Sequence, residues 1–164
     1  MRRAVVLSVL TVFVACGGGE SPTSVPSVPD VAGQYQGTWT TEAQSGQQQA
    51  SGSCPGNITI DSQSGTDISG SFLIDAAGDC TEAETGTIDG SVNQSGGVSF
   101  TAQNPQGSVL DELAAQGCTV IASDNAFAGS VSGDVLEASA GATFRCTTSS
   151  GTVDIDITVR FSGQ

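Results

Sequence analysis

Tyr35-Gln36-Gly37-Thr38-Trp39 sets an apolar residue at each end, a glycine midway and polar residues in the alternate positions. That is a half-buried strand with a glycine in the middle of its inward face. The pattern recurs at Ile68-Ser69-Gly70-Ser71-Phe72, Ile88-Asp89-Gly90-Ser91-Val92 and Phe127-Ala128-Gly129-Ser130-Val131. This composition gives roughly one copy by chance, so four copies mean one kind of strand used repeatedly. A glycine there lets a strand coil sharply, as a sheet must when it curls toward closure.

Working outward, the chain reads as strands separated by Gly, Ser and Asp turns. The expected strands are 33–41, 57–61, 67–75, 86–93, 98–103, 118–131, 135–147 and 152–161. In the last, Val153, Ile155, Ile157, Val159 and Phe161 alternate with Asp154, Asp156, Thr158 and Arg160. The one helical signal, 108–116, lies between strands five and six. Ser108 is its N-cap and Gly117 its stop, and Val109, Leu110, Leu113 and Ala114 form its apolar face. That face either closes a barrel mouth or covers exposed core edges. The expected fold is all-β, an eight-stranded antiparallel up-and-down meander barrel with this one short helix. The rival is a sandwich of two sheets.

The chain opens with Met1-Arg2-Arg3 and an apolar run over 4–15, too short to span a bilayer but the length of a secretory signal core. Val12-Phe13-Val14-Ala15-Cys16, followed by Gly17-Gly18-Gly19, resembles a bacterial lipobox. The resemblance implies that residues 1–15 are a lipoprotein signal peptide and that Cys16 becomes the acylated N-terminus. Phe13 departs from the usual aliphatic residue three before the Cys. By analogy with Gram-negative lipoproteins, Gly17 in place of aspartate implies the outer membrane rather than inner-membrane retention. Residues 16–29, rich in Gly, Pro and Ser, form a flexible tether, and 30–164 form the barrel domain.

Setting Cys16 aside leaves Cys54, Cys80, Cys118 and Cys146, an even number with three connectivities. The hairpins select Cys54–Cys80 and Cys118–Cys146, because antiparallel neighbours bring one strand's start beside its partner's end. A four-Cys zinc site is the rival, but the chain has no C-x-x-C pair. An immunoglobulin-type bridge would enclose a Trp between its cysteines, and Trp39 precedes all four.

Once Arg2 and Arg3 leave with the signal, Arg145 and Arg160 face 17 carboxylates. Such a surface repels nucleic acid and anionic lipid headgroups, so the N-terminal lipid rather than charge holds the chain at the membrane. With no His and no Lys, His-based triads, Ser–Lys pairs and Schiff-base chemistry are excluded. No Gly-rich loop joins a strand to a helix to cradle phosphate. The expectation is that the chain is not an enzyme and carries no cofactor or metal. Asp75, Asp79, Glu82 and Glu84 crowd one loop, either a solvated hairpin loop or an oxygen-ligand site for Ca²⁺.

Gly37-Thr38-Trp39 resembles the first strand of lipocalin-type (calycin) barrels, which carries Gly-x-Trp. Those families place a basic residue late on the last strand, over the Trp, and Arg160 occupies such a position. Avidin-like barrels have a similar opening, but a biotin cage needs several aromatics and this chain has one Trp. The resemblance implies a barrel that binds a small apolar ligand, with Tyr35 and Trp39 as ligand-binding residues. The aromatics Tyr35, Trp39, Phe72, Phe100, Phe127, Phe144 and Phe161 either line that pocket or fill the barrel outright. In the second case the chain is a structural or protein-interaction module of the cell envelope with no ligand cavity.

Overall fold

The computed structural model describes residues 27–103, 113–124, 126–149 and 151–164. Cys16 and most of the tether lie outside them. Nine strands follow one another: β1 (Gly33–Ser45), β2 (Gln48–Ser64), β3 (Asp67–Ile74), β4 (Glu84–Val92), β5 (Gly97–Gln103), β6 (Cys118–Ser123), β7 (Phe127–Ser132), β8 (Val135–Thr148) and β9 (Gly151–Gly163). Neighbours are antiparallel, and the sheet closes where β9 pairs with both β8 and β1. The β1–β9 ladder runs from Gly37↔Gly163 to Gln44↔Asp156 and seals a barrel, so the sandwich is set aside.

The eight-strand count holds with the sixth strand broken in two. β7 pairs with the first half of β8 and β6 with the second. At the break Asp124 takes the place of a ladder pair: its N–H donates to the Gly141 carbonyl and its carboxylate accepts from the Gly141 N–H, 2.8 and 2.9 Å. The expected first strand runs on to Ser45, and the second starts at Gln48 rather than residue 57, turning through Gly46 at φ +59°. That polar stretch is a hairpin rather than a loop.

The four glycines of the repeated pattern explain the closure. A Cβ built on Gly37, Gly70, Gly90 or Gly129 would overlap the carbonyl oxygen of Ser162, Thr59, Ser99 or Glu137, respectively, on the adjacent strand. The strands approach so closely at these points that no other residue fits. Gly86 has a related role, with the Phe72 ring lying over the space where its side chain would stand.

Inward residues form two clusters. The larger fills the barrel and includes Tyr35, Trp39, Ile58, Ile88, Phe100, Leu136 and Phe161. The smaller, Cys118, Phe144 and Cys146 with Val153, Ile155 and Ile157 packed on it, lies where β8 and β9 run past the shorter strands. Of the expected helix 108–116, residues 113–115 are helical and 108–112 lie outside the described residues. The turn ends at Gly117, φ +81°, and Leu113 packs on the smaller cluster. It therefore covers a core edge. The opposite mouth is occupied by residues 28–31, ahead of β1.

Both disulfides pair as the hairpins require. Cys54 on β2 joins Cys80 in the β3–β4 loop, and Cys118 on β6 joins Cys146 directly opposite on β8.

Candidate functional site

Alternation along β1 turns Tyr35, Gly37 and Trp39 inward and sends Gln36 and Thr38 to solvent. Trp39 is only 4% exposed. Its ring sits 5.8 Å from Phe72, 6.0 Å from Phe127 and 4.9 Å from Phe161, centroid to centroid. Phe127 in turn stacks on Phe100 at 5.3 Å. Since β1 pairs with β2 and β9, whereas Phe127 stands on β7, the Trp39–Phe127 contact spans the interior. The indole N–H donates to the Leu73 carbonyl at 3.1 Å, so its polar atom is satisfied without a ligand.

Tyr35 is equally enclosed. Its hydroxyl donates to the Val31 carbonyl at 2.8 Å. Burial, then the nearby charges of Asp30 and Asp134, push its pKa up from 10.0. Both residues expected to bind ligand thus lie in the packed interior with their polar atoms engaged. Six of the seven aromatics meet in this cluster, and Phe144 belongs to the smaller one.

Arg160 does not pack over Trp39. Its position on β9 is opposite in parity to Phe161, so it points outward and pairs with Glu42 on β1 at 2.6 Å. Arg145 pairs with Asp154 at 2.8 Å through two nitrogens, and that hydrogen bonding holds the Asp154 carboxyl below its ordinary range. Both cations of the described residues are thus taken up on the outer face of β1, β8 and β9. Two shallow depressions on that face, about 310 and 330 Å³, meet at Asp156 and Thr158. Neither is lined by Tyr35 or Trp39.

In the acidic loop, Asp79 turns back on β2: its carboxylate accepts from Ser53 N–H at 2.8 Å, and its own N–H donates to the Ser53 carbonyl. The loop is thereby fastened beside the Cys54–Cys80 bridge. Among the described residues no group of three or more His, Cys, Asp or Glu converges in a metal-binding arrangement.

Comparison with protein-family models, curated proteins and solved structures finds no match.

Two residues that sequence reading passed over belong to the barrel's other mouth. Val31 is 2% exposed within the main cluster, and the Gln63 amide clamps the chain on either side of Asp30. The signal available for Val31 was a single apolar residue two positions after a proline-rich run, and Gln63 offers no local signal.

Proposed function

We propose that this chain is a lipid-anchored protein of the bacterial envelope, held at the membrane through Cys16, whose barrel is a rigid module presenting its outer surface to another envelope component. The anchor reading rests on the basic start, the short apolar run and the lipobox-like stretch ending at Cys16. It is supported by cysteine parity, since the other four are consumed in two bridges. Gly17 favours the outer membrane. The module reading is carried by one observation, the edge-to-face contact of Trp39 and Phe127 through the middle of the barrel. A carrier barrel needs open space beside its Trp, and here that space holds phenylalanine rings. Absence of His and Lys from the sequence favours a non-enzymatic role.

The test has two arms. Intact mass of the chain purified from membranes should show cleavage before Cys16 and a mass increment of acyl groups on it; an unmodified Cys16 overturns the anchor. Fatty acids titrated into the folded domain should leave the Trp39 emission unchanged, while cross-linking in whole envelopes yields a discrete protein adduct. Saturable quenching by fatty acid, with no adduct, overturns the module in favour of a carrier.

A further inference from the structure

The mouth of the barrel beside the start of β1 is occupied by a piece of chain that belongs to no strand. Val31 is buried there as a member of the main cluster, with Val28 packed alongside. The ladder registers place Ile60, Ile68, Val92, Val98, Val131 and Leu136 as the inward residues nearest this end, with Tyr35 just behind. Side chains rather than a ladder hold the segment. The Gln63 amide oxygen accepts from Val31 N–H at 2.8 Å, and its nitrogen donates to the Pro29 carbonyl at 2.9 Å. The Tyr35 hydroxyl donates to the Val31 carbonyl at 2.8 Å. By contrast β1 is held to β2 through a register running unbroken from Gly33↔Ile60 to Ser45↔Gln48. A few side-chain hydrogen bonds and the burial of one valine hold this segment, where a continuous ladder holds β1, and such a segment opens at lower cost.

We propose that residues 28–31 are an exchangeable occupant of the barrel mouth, and that their withdrawal opens a site for a small uncharged apolar ligand. The ligand's chemistry follows from what the segment leaves behind. Apolar side chains form the wall, and the Gln63 amide and Tyr35 hydroxyl remain as one pair of polar groups at the rim. A hydrocarbon chain or ring ending in a carbonyl or hydroxyl would satisfy both. Asp134 acts on the Tyr35 hydroxyl electrostatically, which disfavours an anionic end group. The site lies at the end opposite both disulfides and is distinct from the filled space around Trp39.

The probe for this is neutral N-phenyl-1-naphthylamine, whose N–H the Gln63 amide oxygen can accept, titrated into the mature chain and into a Val28→Ser, Val31→Ser variant that weakens the segment's packing and keeps the rim groups. The variant should bind the probe saturably at one site, at least tenfold more tightly than the wild type, and a peptide of residues 24–32 should displace it. A folded variant with intact bridges that takes up no more probe than wild type overturns the proposal, as does uptake the peptide does not reverse. Should the variant not fold, amide exchange of the wild type decides. Added probe should speed exchange at Val31 while leaving the β1 ladder protected; an unchanged Val31 rate overturns the proposal.

Discussion

A side chain on Gly129 would run into the carbonyl oxygen of Glu137 on the neighbouring strand, β8. The same relationship holds at the other three glycines of the repeated pattern, so closure depends on hydrogen atoms at four positions. Gly129→Ala should destabilise the fold by about 3 kcal/mol, the upper part of the range for overpacking a core. Gly52→Ala is the control, because a Cβ there meets Asp79 at an ordinary 3.4 Å. It should stay within about 0.5 kcal/mol of wild type. Urea unfolding of both variants reads the difference.

Losing the Cys118–Cys146 bridge should act locally as well as globally. A Cys118→Ser, Cys146→Ser variant should lose about 3 kcal/mol through the looser unfolded chain. Amide exchange should rise at β6 and around Phe144 and Ile155, since the smaller cluster is built on this bridge. The amides around Ile58 and Ile88, in the larger cluster, should keep their protection relative to global unfolding.

Tyr35 is the single tyrosine in a chain without lysine, which makes its titration legible. Its folded pKa is raised above 10.0, chiefly by burial. Above pH 10.0 the unfolded chain gives up a proton that the folded chain keeps, so stability falls as pH rises toward the folded value. Below that window its contribution is fully present. Tyr35→Phe should flatten the alkaline slope while costing about 1 kcal/mol at neutral pH, the net value of the hydrogen bond to Val31. Thermal melts across the alkaline range check both effects.

Much of this was legible because the barrel strands are two-faced. Tyr35, Trp39, Ile58, Ile60 and Phe161 alternate with polar neighbours, and Cys54 and Cys146 fall where antiparallel geometry brings their partners. What escaped was structure without that alternation. Residues 42–45 and 48–53 are strand but nearly all solvated, because they extend past the closed part of the barrel. The break at Asp124 depends on a carboxylate folding back onto Gly141, a contact 17 residues away. Val31 and Gln63 meet across 32 residues, and no local pattern links them. Arg160 shows the opposite lesson, since strand parity alone turns it outward, away from Trp39, and the β1–β9 register then brings it to Glu42.

Truncating Trp39 tests the packed interior energetically. Trp39→Ala should cost about 3–5 kcal/mol, as for large aromatic side chains removed from a core. Trp39→Phe should cost less, retaining ring contacts but leaving the Leu73 carbonyl without its indole donor. Chemical denaturation measures each, with near-ultraviolet circular dichroism reporting whether the aromatic cluster persists.

The most direct measurement of the account is a nuclear Overhauser spectrum of the folded domain, read at the Trp39 indole. It should show cross-peaks to the Phe127 ring as well as to Phe72 and Phe161, since these rings meet inside a closed barrel. Cross-peaks to Phe161 and Phe72 with none to Phe127, together with water contacts at the indole ring, would mean an open interior and contradict it.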